Sequence, residues 1–318
     1  MVNFILKIEK NPRQSLLFYN WAHQEIHENL NKWLGIRKSE NIELKAMDGG
    51  VMSIVYEIVH PLNLNSIIKI QDQETPYGDI LAESVCKELN IHTPAIYYHK
   101  ITKKNKNLYV FEVLEKIKFP LLSDYFSNTK DLSAINKLGE NIRNLNSKET
   151  KGFGIFKGSS FDGEFKNPKK FLIRAFLNDE IIRANIQNAN FNKKEIRILQ
   201  TKVKTFKFGT ESYFSHGDIH LDNCFYDPSN EKLYLFDFNP KAAPMMYDVA
   251  YFRLKSLARG ERDIWESFIY GYGKENVNNA ELTLLSVLMS FRKCKQWFNE
   301  KDSNKFQWVY EEVKRYIS

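Results

Sequence analysis

The chain has 318 residues, 43% of them hydrophobic and 14% aromatic, with glycine and proline sparse, which excludes disordered and fibrous classes and suits one large domain or two lobes. The charged fraction of 27% is ordinary, and the net charge of +7 is spread without a lysine or arginine block, so no nucleic-acid partner is expected. Cys86, Cys224 and Cys294 stand far apart with no CxxC pair, which supports neither a zinc site nor a disulfide framework and suits a reducing cytoplasm.

In chain order, the opening MVNFILKIEKNP lacks the apolar core of a signal peptide. Pro12 to Leu34 carries helical periodicity through Leu16, Leu17, Trp21, Ile26, Leu30, Trp33 and Leu34. Ile42 to Met47 and Val51 to Val59 flank Asp48-Gly49-Gly50 and predict a hairpin. Ser66 to Gln71 is a further strand, Asp79 to Leu89 a helix ended by Thr93-Pro94, and Ile96 to Lys100 and Asn107 to Leu114 two more strands. From about Leu121 helices dominate: Leu132 to Leu145, Pro168 to Ile186, Lys193 to Phe206, and Tyr247 onward. The exception is Tyr213 to Phe238, where two short strands bracket a turn at Asp227-Pro228. The longest largely apolar stretch, Leu282 to Phe291, is too short to cross a bilayer, so no membrane association is expected; the oligomeric state is left open. A β-rich part followed by a helical part places a cleft near Glu112 to Lys118.

The chemistry is carried by Ser215-His216-Gly217-Asp218-Ile219-His220-Leu221-Asp222-Asn223 and the later Leu235-Phe236-Asp237-Phe238. Phosphoryl transfer needs a divalent metal to neutralise a triphosphate and a carboxylate to take or orient the proton of the attacking hydroxyl. Magnesium prefers oxygen ligands, one or two carboxylates with carbonyl or amide oxygens and water. Asp218 lies in a polar loop after a strand, Asn223 follows five residues on, and Asp237 ends the apolar run Leu233 to Phe236. One base and two oxygen ligands of different charge match that chemistry. Spacing alone also admits a His216/His220/Asp222 zinc site, which leaves Asp237 unexplained.

The segment resembles the aminoglycoside phosphotransferase and choline kinase family, whose catalytic loop reads H-G-D-x-H-x-x-N; His216, Gly217, Asp218, His220 and Asn223 meet its fixed positions. Tyr247-Asp248-Val249-Ala250 matches a later helix start of that family, whereas Asn239 stands where a second aspartate is often found. The resemblance implies an α+β, bilobal protein-kinase-like fold, with residues 1–115 a β-rich nucleotide-binding lobe and 116–318 a helical catalytic and substrate lobe. It implies Asp218 as the base, Asn223 and Asp237 as Mg2+ ligands, Asp248 as a structural helix cap, ATP or GTP as donor, and a small-molecule hydroxyl as acceptor.

In kinase-like folds a strand lysine grips the α/β-phosphates and pairs with a helix glutamate. Lys69, between isoleucines, is the candidate; Glu83 is its expected partner, with Glu88 the competitor. In the resembling family a short glycine-rich turn with a serine covers the phosphates, which implies Ser53 as a phosphate contact, with a plain hairpin turn as the alternative. Backbone groups around Glu112 to Leu114 are candidates for a purine edge, with an ordinary core strand as the alternative. The last third holds Trp265, Phe268, Tyr270, Tyr272, Phe291, Trp297, Phe298, Trp308 and Tyr310, read as core or as an aromatic cage for a quaternary amine. Glu261, Asp263, Glu266 and Glu300 are interleaved with cations, as on a solvated surface. A choline- or homoserine-type metabolite kinase and a catalytically silent nucleotide-binding module are the alternative functions. The sequence lacks a spaced-glycine loop and a DFG tripeptide, which weighs against a protein kinase.

Overall fold

The computed structural model describes residues 24–26, 29–30, 43–47, 53–59, 65–72, 76–104, 107–188 and 190–318. Contacts divide the chain into two units. One takes in the described residues up to Pro76 with Thr93–Lys118; the other joins Tyr77–His92 to Phe119–Ser318.

The first unit is an antiparallel sheet of β1 (Glu43–Ala46), β2 (Ser53–Val59), β3 (Ser66–Asp72), β4 (Ile96–Lys104) and β5 (Asn107–Glu115), in the order β1-β2-β3-β5-β4. Strand alternation decides its faces. Ile54, Tyr56 and Ile58 of β2, Ile68 and Ile70 of β3, and Phe111 and Val113 of β5 form one buried cluster with Leu44 and the helical Ile26 and Leu30. The other phase is mixed and includes polar side chains, of which Lys69, Gln71 and Glu112 are all buried. The expected β1–β2 hairpin is present, with Glu43 opposite Val59 and Ala46 opposite Tyr56. Its Asp48-Gly49-Gly50 turn and most of the expected Pro12 to Leu34 helix lie outside the described residues.

In the second unit the helix Gly78–Glu88 contributes Leu81, Ala82, Val85 and Cys86 to a large core. The helices Leu122–Thr129, Leu132–Leu145, Pro168–Phe176, Asp179–Gln187, Lys193–Thr205, Tyr247–Leu257, Arg262–Tyr272, Asn279–Asn299 and Ser303–Ile317 supply most of the rest. The helix expected over Pro168 to Ile186 is two helices. Asn178 stops the first and caps the second, its side chain accepting from Ile181 N at 3.0 Å, because asparagine competes with the helix for its own backbone donors.

A second five-stranded sheet combines β6 (Glu149–Thr150), β7 (Phe153–Phe156), β8 (Gly163–Phe165), β9 (Ser212–Ser215) and β12 (Lys241–Ala243) in the order β6-β9-β12-β7-β8. Only β9 was anticipated. The others are two to four residues long and two contain glycines, too short to display an alternating pattern. The expected hairpin is present as β10 (Cys224–Asp227) and β11 (Lys232–Leu235), with Cys224 opposite Leu235.

The helices Leu132–Leu145 and Arg262–Tyr272 approach so closely that two glycines have no room for a side chain. A Cβ on Gly139 would stand 2.2 Å from Phe268 O, and one on Gly271 would stand 1.9 Å from Asn136 O. Gly139→Ala is therefore expected to destabilise the protein by about 1–3 kcal/mol through overpacking. A urea midpoint unchanged from the parent protein would contradict the crossing.

Candidate active site

The His216–Asn223 loop leaves β9 and ends in a one-turn 3-10 helix, Leu221–Asn223, that runs into β10. One buried carboxylate holds its start. Asp248 Oδ1 accepts from Ser215 Oγ at 2.7 Å and Gly217 N at 2.9 Å, and Oδ2 accepts from His216 N at 2.8 Å and Asn146 Nδ2 at 3.0 Å. Asp248 is fully buried, and these donors replace the water it has lost. Asp248 does not cap its own helix: Met246 is at the N-cap and makes no side-chain capping bond. Its carboxylate turns away to the loop, so the capping role expected of it is corrected.

The loop is also tied to the segment before β12. Asn239 N donates to His216 O at 2.9 Å, and Lys241 lies opposite Ser215 in the β9–β12 ladder. Gly217 has φ +79°, and a Cβ there would meet Asn239 O at 1.9 Å, so glycine is required on both counts. His216 is fully buried and stacks on Phe238, ring centroids 4.2 Å apart. Burial pushes its imidazole below the ordinary range, and Nδ1 accepts from Asp218 N at 3.4 Å. A stacked, buried His216 is a wall of the loop rather than a zinc ligand. Among the described residues no group of three or more His, Cys, Asp or Glu is arranged to hold a metal.

These ties bring together Asp218, Asn223 and Asp237. Asn223 Nδ2 donates to Asp218 O at 2.8 Å; only the amide nitrogen can do so, which leaves the amide oxygen as an acceptor. Asn223 O accepts from Phe236 N at 3.1 Å, setting Asn223 beside the residue before Asp237. Asp237 has φ +56°, the left-handed region, as positions held for function often do. One amide and one carboxylate oxygen suit magnesium, which keeps water and phosphate oxygens in its remaining positions.

The Asp218 side chain is 36% exposed, and Tyr251 OH donates to its Oδ1. Burial first, then the neighbouring Asp218 charge, pushes the Tyr251 phenol well above its ordinary range, so it stays a donor. His220 Nδ1 lies 3.3 Å from Asp222 Oδ2, and this contact holds the Asp222 carboxyl well below the usual range.

In the first unit Lys69 stands opposite Glu112 across the β3–β5 ladder, and Glu112 opposite His99 across β5–β4, with His99 Nδ1 3.0 Å from Glu112 Oε1. Glu112 and Leu114 lie in a strand flanked on both sides, and Glu115 N and Lys116 N are bonded to Ala95 O and Asn65 O. Backbone there is used in the sheet. Ser53 opens β2 and is buried. Glu83 is half-buried on the Gly78–Glu88 helix, and Glu88 pairs with Lys148 at 2.6 Å.

The sequence reading missed Tyr251, Lys255, Asn146 and Lys293. Tyr251 and Lys255 fall one and two turns after Tyr247 on a helix whose start was legible, so a helical wheel would have found them. Asn146 and Lys293 left no local signal. Of the C-terminal aromatics, Phe268, Tyr272, Phe291 and Trp297 are buried core, with Phe252 and Phe268 rings 4.0 Å apart, so they line no cage. Glu266 is taken by Arg262 and Glu300 by Gln296.

No family model and no curated protein matches the sequence. Solved structures do match the fold. Aminoglycoside phosphotransferase APH(4)-Ia is 11% identical, with a TM-score of 0.64 over 93% of this chain and 98% of that one. A putative fructosamine-3-kinase from Haemophilus somnus is 13% identical, with a TM-score of 0.62 over 93% and 99%. Choline kinase LicA from Streptococcus pneumoniae is 13% identical, with a TM-score of 0.59 over 93% and 99%. The chain has the protein-kinase-like fold of these small-molecule kinases, with a sheet-rich N-terminal part and a helical C-terminal part.

Asp248→Asn puts an amide donor against the Ser215, His216, Gly217 and Asn146 donors. It is expected to cost about 2–4 kcal/mol in urea unfolding and to speed hydrogen exchange at His216 and Gly217. Parent-like protection there would remove Asp248 from its role.

Proposed function

We propose that the protein is a small-molecule kinase that transfers the γ-phosphoryl group of ATP or GTP to a substrate hydroxyl. The observation that carries this reading is the loop anchored by Asp248, which presents Asp218 beside the Asn223–Asp237 pair of oxygen donors. The shared fold supports it: APH(4)-Ia has been solved with ADP and hygromycin B.

In the proposed reaction the acceptor oxygen attacks the γ-phosphorus. A new O–P bond forms as the bond to the β–γ bridging oxygen breaks, and that electron pair leaves with the nucleoside diphosphate. Asp218 takes the hydroxyl proton, and Tyr251 steadies its carboxylate. Asn223 and Asp237 would hold Mg2+, which when bound neutralises charge on the phosphoryl oxygens. Lys69 is the proposed grip on the α/β-phosphates, with Ser53 as a further phosphate contact. Residues 1–115 thus serve the nucleotide, and 116–318 carry the chemistry and the acceptor.

Asp218→Asn is expected to lower acceptor-dependent release of nucleoside diphosphate by about a hundredfold or more while sparing nucleotide binding. Turnover like the parent's would remove Asp218 as base. Asp237→Ala and chelation of Mg2+ should instead weaken nucleotide binding itself, read by calorimetry. Nucleotide binding with no turnover on any hydroxyl compound would favour the silent module.

A further inference from the structure

Around Asp218 the second unit gathers cations that its own carboxylates do not neutralise. Lys255 lies one turn after Tyr251, its ammonium 5.4 Å from the Tyr251 ring centre. The helix Asn279–Asn299 packs on Tyr247–Leu257 and adds Arg292 and Lys293. Lys293 is half-buried over the Trp297 ring and donates to the neutral Gln296 Oε1 at 2.6 Å. On these helices Arg253 pairs with Glu312 and Lys295 with Glu180, and Lys305 of the Ser303–Ile317 helix pairs with Asp302. Among the described residues Lys255 and Lys293 have no carboxylate within ion-pairing distance.

Both ammonium groups are pushed down. For Lys255 burial acts first, with Arg259 and Lys305 adding to it and Asp218 and Asp222 opposing. For Lys293 burial acts first, then Lys255 and Arg292, with Asp218 and Glu300 opposing, and its ammonium is pushed down to about 8. Two partly buried like charges that feel one another are unfavourable without a counter-charge. Such an arrangement becomes favourable when a ligand supplies the opposite charge. The acceptor hydroxyl must reach Asp218, so the position between Asp218 and these lysines belongs to the acceptor.

We propose that the acceptor carries an anionic group, a carboxylate or a phosphate, which Lys255 and Lys293 bind while its hydroxyl meets Asp218. This rests on the phosphotransferase reading and narrows it, setting the site against polycationic and quaternary-amine acceptors.

The test is calorimetry on the protein saturated with Mg2+ and AMP-PNP, with glucose, gluconate, glucose phosphate, choline and hygromycin B as matched probes. Gluconate or glucose phosphate is expected to bind most tightly, and the two separate carboxylate from phosphate. Lys255→Met and Lys293→Met should each weaken that binding by about tenfold or more, with nucleotide affinity held within about twofold. The sign for stability is opposite. A lysine whose folded pKa lies below its unfolded value destabilises the fold while charged, a penalty relieved as pH rises through about 8. Lys293→Met should therefore raise Tm at neutral pH, and anion binding by the parent should weaken from about pH 7 to pH 9 as Lys293 loses its proton. Tighter binding of choline or hygromycin B, no binding of either anionic probe, or an equal loss of nucleotide affinity in the lysine variants overturns the inference. No binding of AMP-PNP with Mg2+ overturns the phosphotransferase reading and this inference together.

Discussion

A carboxylate with no exposure to water, Asp248, is the constraint on which the active-site region depends. Alone, a buried charge of this kind is costly. Here it is compensated by backbone donors of His216 and Gly217, the Ser215 hydroxyl and the Asn146 amide. Those donors belong to the strand end and the first residues of the loop, so satisfying Asp248 and shaping the loop are one event. Asn146 extends the tie, because its amide also donates to Phe214 O at 3.0 Å. The end of the Leu132–Leu145 helix, the end of β9 and the start of the Tyr247–Leu257 helix therefore meet at one carboxylate. What projects beyond that anchor, Asp218 above all, is held by rigid elements rather than by its own contacts, as a pre-organised site requires.

The same logic explains why Gly217 and Asp237 have unusual backbone angles. Two loops pressed together through Asn239 N and His216 O leave no room for a Cβ at Gly217. Aspartate tolerates the left-handed region better than most side chains, so Asp237 holds this backbone conformation at modest cost.

The elements legible in the sequence were those with long, regular patterns. Ile54, Tyr56 and Ile58 against Ile68 and Ile70 announce a sheet by alternation, and the helix over Leu132 to Leu145 announces itself by period. The strands between Glu149 and Phe165 were invisible because two to four residues cannot express a period. In the site, the His216–Asn223 segment stood out because its residue types suit phosphoryl transfer and its spacing resembles a known catalytic loop. The role of Asp248 did not, because a helix-start aspartate usually caps its own helix and only the tertiary fold turns it elsewhere. Lys293 was hidden for a different reason. Its neighbours Lys255 and Asp218 come from distant segments, and sequence carries no trace of charges that meet only on folding.

Charge therefore has two meanings in this molecule. Some of its cations have a nearby acid, as Lys148 has Glu88 at 2.6 Å and Lys314 has Glu195 at 2.5 Å. Exposed pairs of that kind contribute little to stability and nothing specific to binding. Lys255 and Lys293 differ in making no ion pair among the described residues, in opposing one another, and in sharing a neighbourhood with Asp218. Replacing them with apolar side chains would satisfy packing and remove repulsion, so stability alone does not account for two lysines here. A site that binds a negatively charged partner does account for them, since the anion's attraction to both offsets their mutual repulsion. The core helices that carry them also carry Tyr251, so the groups that touch the proposed base and those that would select the acceptor are built on the same two rigid elements.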